Sequence, residues 1–200
     1  MMVCIAFVRH GPTAWNQDRR LQGRADIPLS KDGMAVIEGL HLPNCLATIP
    51  WRVSPLRRAV QTAKILGIKQ PLSDHRLIEM DWGDWEGETV RDLRAQLGTA
   101  MRDNEDRGLD FTPPGGESPR LVQDRLRPLL QELAQGPPLT GAISHKGVIR
   151  ALLALATGWN MLGKPEVRLD WQAAHVFSVD GEGRVSPRRL NLPLINTGSH

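Results

Sequence analysis

Tyrosine is absent from the 200 residues, phenylalanine occurs three times and cysteine twice. Two thiols, Cys4 and Cys45, cannot build a disulfide framework. Cys4 lies inside an apolar segment and reads as a buried free thiol, which fits a cytoplasmic setting. No apolar run approaches the roughly 20 residues of a membrane-spanning helix, so no membrane role is expected. Met1 to Val8 is apolar, but no basic region precedes it and Arg9 follows at once. It reads as a buried strand and not as a leader. A dominant charge of one sign is missing too, with 25 Lys and Arg against 22 Asp and Glu. Scattered arginines at a formal net charge of +3 suit an anionic small molecule and give no support for nucleic acid. What is present, 40% hydrophobic and 24% charged residues, is the composition of a globular chain. It is long enough to bury a core without disulfides or metal. No repeat or linker interrupts it, so residues 1–197 are expected to form one domain. The end of Thr197-Gly198-Ser199-His200, residues 198–200, is set aside as an expression remnant.

Strand and helix signals alternate along the chain. Met2 to Val8 is a continuous apolar strand, as buried parallel strands read. Ser30 caps a helix expected to reach about His41, and Ile49 to Val53 is a second strand. Ser54-Pro55 supplies an N-cap and a first-turn proline to a helix with Leu56, Ala59, Val60, Ala63 and Leu66 as its apolar stripe and Gly67 as its stop. Thr89 to Leu97 is a short helix ended by Gly98. Residues 100–116 are polar and Pro/Gly-rich and read as a surface loop or frayed helix, a candidate lid. Ser118-Pro119 opens a helix with Val122, Leu126, Leu129, Leu130 and Leu133 buried, kinked at Pro128. Leu139 to Ser144 is a strand, Gly147 to Thr157 an apolar helix, and Val176 to Val179 with Arg184 to Pro187 a hairpin. This order predicts a three-layer α/β/α sandwich on a mostly parallel sheet with an antiparallel edge strand.

Open α/β sheets bind ligands beyond the carboxyl ends of their strands. Three segments carry reactive side chains there: Arg9-His10-Gly11, Ser54-Pro55-Leu56-Arg57-Arg58-Ala59 and Ser144-His145-Lys146-Gly147. Two histidines and several arginines converge, and helix N-termini add N–H donors, which makes a pocket for phosphate. A neutral imidazole can attack phosphorus, and nearby arginines discourage its protonation. They also pair with phosphate oxygens in forked geometry. A leaving oxygen then needs a proton. Glu79 is the candidate donor, its apolar neighbours Leu77, Ile78 and Met80 favouring the protonated form and Asp81, Asp84 and Glu86 pushing the same way. No His-x-His, Cys-x-x-Cys or His-Glu-x-x-His spacing marks a metal site, and no cofactor is expected.

Arg9-His10-Gly11-Pro12-Thr13-Ala14-Trp15-Asn16, Arg20-Leu21-Gln22-Gly23, Ser54 to Ala63, Glu79 to Gly87, Pro113 to Ser118 and Ser144-His145 through Arg150 fall in one order. Together they resemble the histidine phosphatases of the phosphoglycerate mutase-like superfamily, in the small bacterial branch similar to α-ribazole phosphatases and broad-specificity phosphatases. The resemblance implies His10 as the nucleophile that becomes phosphohistidine and Glu79 as the proton donor. It implies Arg9, Asn16, Arg58 and His145 as the phosphate-binding residues. Arg58 is preferred to Arg57 because the family's arginine precedes the alanine, and Glu79 to Glu86 because the family's acid sits in Leu-x-Glu. Gln22, Gly23 and Lys146 are expected on the substrate rim.

The sequence departs from the family at Lys146, where glycine is common, at Arg19, again a common glycine, and at Val36-Ile37 in place of Gln-Ala. His41, His75, His175 and His200 have no partners at informative spacing and read as structural, and Arg57 as a salt-bridge residue. Trp15, Trp82 and Trp85 either line the mouth or pack the loops. The expected activity is hydrolysis of a small phosphomonoester without metal. Two alternatives stand beside it. One is mutase-type transfer, opposed by the 66 positions between Glu79 and His145, fewer than the mutase branch carries. The other is a non-catalytic sensor, which would need neither nucleophile nor acid.

Overall fold

A computed structural model describes residues 2–196. In chain order the elements are β1 (Val3–Arg9), α1 (Ala14–Gln17), α2 (Lys31–Glu38), β2 (Leu40–His41), α3 (Asn44–Ala47), β3 (Trp51–Val53), α4 (Arg57–Ile65), β4 (Leu72–Ser73), α5 (Val90–Leu97), α6 (Thr99–Glu105), α7 (Pro119–Ala134), β5 (Leu139–Ser144), α8 (Lys146–Thr157), β6 (Ala173–Val179), β7 (Val185–Pro193) and β8 (Ile195–Asn196). Six strands form one sheet in the order β4-β3-β5-β1-β6-β7. The first four run parallel, β6 pairs antiparallel with β1, and β7 returns antiparallel along β6. The fold class expected from the sequence is the one observed.

Strand period places successive side chains on opposite faces. On β1, Val3, Ile5 and Phe7 face α7 and α8 and pack on Val122, Leu126, Leu129 and Leu152. Ala6 and Val8 face the other layer, with Ile37 of α2 and Ala59 and Ala63 of α4. β1 is therefore covered on both sides, as its unbroken apolar run requires.

Several boundaries differ from expectation. The helix capped by Ser30 ends at Glu38, and Leu40-His41 instead pairs with β8. The Ser54-Pro55 helix begins at Arg57 with Leu56 as its N-cap; the Ser54 hydroxyl meets His145 at 2.7 Å and accepts from the Leu56 amide only at 3.4 Å. Val60, expected in the buried stripe of that helix, is exposed. Of the two readings for the polar stretch, surface loop or frayed helix, residues 99–105 take the helical one, held by Met101 buried against Trp85 and Leu93. The last hairpin is longer than expected at both ends, and α7 runs through Pro128. The expected domain end at 197, the remnant at 198–200 and His200 lie outside the described residues. No helix among the described residues is long and apolar enough to cross a membrane.

Candidate active site

β1 and β5 are adjacent and parallel, so their carboxyl ends bring Arg9-His10 beside Ser144-His145, and the His10 amide bonds to the Ser144 carbonyl at 2.9 Å. His10 is buried, and its Nδ1 lies 2.6 Å from the Gly11 carbonyl. A carbonyl only accepts, so Nδ1 carries the proton and Nε2 keeps its lone pair. Burial, then the charges of Arg9 and Arg58, hold the imidazole well below the usual histidine range, so it is neutral at pH 7. Gly11 is fixed in turn by Thr62 Oγ1, which accepts from its amide at 2.9 Å. A side chain at Gly11 would meet Ile37 at 2.6 Å, so the unusual Ile37 packs against the loop that carries His10.

Arg58 enters from the first turn of α4 and is fully buried. Its guanidinium donates to the carbonyls of Ala25 and Gly23 at 2.8 and 2.7 Å, and its Nε to His145 Nδ1 at 3.3 Å. Part of the expected fork is thus committed to holding the 22–25 loop. With Nδ1 accepting, the neutral His145 ring donates from Nε2 to Ser54. Burial, then His10 and Arg58, keep His145 well below the ordinary range. Its ring lies 5.0 Å from that of His10, but it does not line the cavity. Arg57 is exposed; its backbone amide bonds to Asp26, and no side-chain ion pair is found for it among the described residues.

Thr13, which sequence reasoning did not single out, orients two amides. Its hydroxyl donates to Gln22 Oε1 at 2.9 Å, and Asn16 Oδ1 accepts from the Thr13 amide at 3.1 Å. With both side-chain oxygens used, Asn16 and Gln22 keep their NH₂ groups for the cavity they line. Thr13 is the N-cap of α1, with Asn16 completing a capping box, and that Thr-x-x-Asn spacing was the available signal. Arg19 adopts φ +59°, which explains why glycine suits this position.

Glu79 and Glu86 separate clearly. Glu86 accepts from the amides of Arg24 and Ala25 and sits where a side chain on Gly23 would fall, so it clasps the loop from beneath. Glu79 lines the cavity; its oxygens accept from the amides of Met80 at 2.8 Å and Gly147 at 3.2 Å. The segment before it is clamped by Ser144, bonded to the Leu77 carbonyl at 2.8 Å, and by Arg125, bonded to the Ile78 carbonyl at 2.7 Å. The apolar setting expected for Glu79 does not hold at the carboxyl itself, which meets two N–H donors, and Asp81 and Glu86 are turned to Arg24 and its neighbours. Two of the helix-end amides expected to face an anion are likewise engaged, Gly147 by Glu79 and Arg57 by Asp26.

Arg9, His10, Asn16, Gln22, Gly23, Arg58, Glu79 and Lys146 line one cavity of about 840 Å³. Arg9 Nε is buried without a partner among the described residues, an unmet donor next to His10. Trp82 lines the cavity, Trp85 is buried under it and Trp15 packs beside Gly87, so the three tryptophans divide between both expected roles. His41 and His75 lie away from the cavity; His175 is buried against Trp171. Among the described residues no group of three or more His, Cys, Asp or Glu is placed to hold a metal ion.

The family model of the histidine phosphatase superfamily (branch 1) matches residues 5–191. Glucosyl-3-phosphoglycerate phosphatase of Mycolicibacterium vanbaalenii is 35% identical over 181 residues, 80% of this chain and 78% of that protein. A 2,3-bisphosphoglycerate-dependent phosphoglycerate mutase of Gloeobacter violaceus is 30% identical over 168 residues, 76% of this chain and 74% of that one. The native structure of a mycobacterial glucosyl-3-phosphoglycerate phosphatase superposes with a TM-score of 0.76 at 27% identity, over 96% of this chain and all (100%) of the other. The chain belongs to the histidine phosphatase superfamily, and it is a phosphatase.

Proposed function

We propose that this member of the superfamily hydrolyses the phosphomonoester of a small metabolite through a phosphohistidine at His10, in the cytoplasm, as one domain and without metal or cofactor. The observation that carries the reading is the Nδ1 proton of His10 fixed on the Gly11 carbonyl, which leaves Nε2 as a neutral nucleophile in a cationic crevice. Nε2 attacks phosphorus while the bond to the ester oxygen breaks, and Glu79 gives its proton to the departing alkoxide. Glu79, now a carboxylate, takes a proton from water; that oxygen attacks phosphorus, the P–N bond breaks and phosphate leaves. Arg9 and Arg58 offset the charge of the transferring group, and Asn16 donates to its oxygens. His145 supports the same group through Arg58 and through its ring against His10. Gln22, Gly23 and Lys146 meet the alcohol portion. The glucosyl-3-phosphoglycerate phosphatase relatives favour a phosphorylated sugar-acid type of substrate. The mutase relative keeps transfer to a second hydroxyl as the alternative.

Quenching the enzyme on a phosphorus-labelled monoester in EDTA tests this. Acid-labile label on His10, with turnover undiminished by the chelator, is expected. His10→Ala should lose both label and turnover while remaining folded. Normal labelling of His10→Ala, or activity restored to the chelated enzyme only by Mg²⁺ or Zn²⁺, would overturn it.

A further inference from the structure

The crevice holds more positive charge than one phosphoryl group accounts for. Lys146 and Arg150, four residues apart at the start of α8, both line the cavity that contains His10 and Glu79. Neither forms an ion pair among the described residues; each rests on an aromatic face instead. Lys146 Nζ lies 5.6 Å from the Trp171 ring centre and the Arg150 guanidinium 5.2 Å from that of Trp159. An aromatic face holds a cation in place without neutralising it. Away from the cavity Arg52, Arg76, Arg120 and Arg125 all meet carboxylates. The acids that line the cavity at the α5–α6 side do not supply the missing partner, since Glu105 is bonded to Arg94, and Asp106 forms no ion pair among the described residues.

We propose that Lys146 and Arg150 form a second anion subsite, which receives a carboxylate or phosphate carried by the leaving alcohol. The proposal rests on the phosphatase reading only in taking the His10 end of the crevice as the seat of the scissile group. Burial, then Arg9 and Arg150, set Lys146 below the usual lysine range, and burial alone lowers Arg150. An arriving anion relieves that cost. It also explains a lysine where the family commonly has glycine: the residue adds a charge one turn from the arginine.

3-Phosphoglycerate and glycerol 3-phosphate differ in a carboxylate against a hydroxymethyl group, so they isolate the second charge. Calorimetric titration of His10→Ala, which binds without turnover, should give tighter binding of 3-phosphoglycerate by about fivefold or more, the order expected of a partly exposed charge pair. Adding Lys146→Gln should bring the two affinities close together, and Lys146→Arg should restore the difference. Arg188→Gln, an equal change of net charge at an exposed site on β7 away from the cavity, should keep it. Equal affinities in the parent, no measurable binding of 3-phosphoglycerate, or a ratio that survives Lys146→Gln would overturn the subsite. Failure of the wild-type enzyme to hydrolyse p-nitrophenyl phosphate would instead count against the phosphatase reading and would leave the binding ratio interpretable.

Discussion

Two clusters of arginine and carboxylate lie at different places on the sheet and behave in opposite ways. Beside β3 and β4, Asp74 is bonded by both Arg52 and Arg76, and Glu132 of α7 meets the same two arginines. Burial alone would raise Asp74, but hydrogen bonds from Arg76 and Arg52 hold it at about 2. The bond to Asp74 likewise pushes Arg76 upward. In the crevice Arg9, Arg58, Lys146 and Arg150 are all lowered, chiefly by burial. The first cluster is complete without a ligand and contributes to stability. The second lacks such pairing for Lys146 and Arg150, and on the proposed reading an anion completes it, at a cost in stability to the empty protein.

The largest expected effect tests the functional side of this contrast. Glu79→Gln keeps the size and can still accept from one of the two amides, but it has no acidic proton to give, so kcat should fall by about 10²–10⁴ on a sugar phosphate. The fall should be much smaller on p-nitrophenyl phosphate, whose leaving group needs little protonation. Glu86→Gln acts on the 22–25 loop through the Arg24 and Ala25 amides, so its loss should be independent of the leaving group. Leaving-group dependence in Glu86→Gln and not in Glu79→Gln would reverse the two roles.

The next effect concerns the paired cluster. Asp74 drops from 3.8 to about 2 on folding, which corresponds to about 2 kcal/mol. A depressed carboxyl stabilises the fold above its unfolded value and ceases to do so as pH falls through the folded one. The contribution is therefore complete above about pH 4 and is lost toward pH 2. Asp74→Asn should lower stability by about that amount at pH 7 and flatten the acid limb of a denaturant-midpoint profile. Arg9→Met, which removes an unpaired charge, should cost less. A larger loss from Arg9→Met would break the distinction between the clusters.

What the sequence revealed follows the same line. His10, Arg58 and Glu79 were legible because strand ends, helix starts and motif order locate them in one dimension. The partners that orient them were not. Ser54 carries the signature of a helix cap yet bonds to His145, 91 positions away, and Arg125 reaches the carbonyl before Glu79 from 47 positions downstream. Those bonds depend on how β5 and α7 lie against the earlier elements, which periodicity does not encode. The helix at Thr99–Glu105 could not be told from a surface loop because its polar composition outweighs one buried side chain, Met101. The environment of Glu79 was misread because sequence neighbours describe the chain beside a carboxyl, not the amides that reach it from another helix.

The smallest effect belongs to a buried histidine outside both clusters. His175 on β6 is buried beside Trp171, whose ring also lies under Arg9 at 5.6 Å. Its Nδ1 accepts from the Asn191 amide at 3.3 Å, and its Nε2 is buried without a partner, the same unmet state as Arg9 Nε. It differs in not lining the cavity, so no anion can complete it. Burial lowers it from 6.5 to about 4. The unfolded chain takes up a proton as pH falls below 6.5, while the folded one does so only near 4. Stability associated with neutral His175 is thus complete above pH 6.5 and drains away between there and pH 4. With allowance for partial screening by solvent, the loss by pH 5 is about 1–2 kcal/mol. His175→Phe keeps a ring against Trp171 and cannot titrate. Its thermal midpoint should therefore fall less than that of the wild type between pH 7 and pH 5. If saturating inorganic phosphate removed the wild-type decline, His175 would be a ligand-facing group, and the line drawn here between unmet donors inside and outside the crevice would fail.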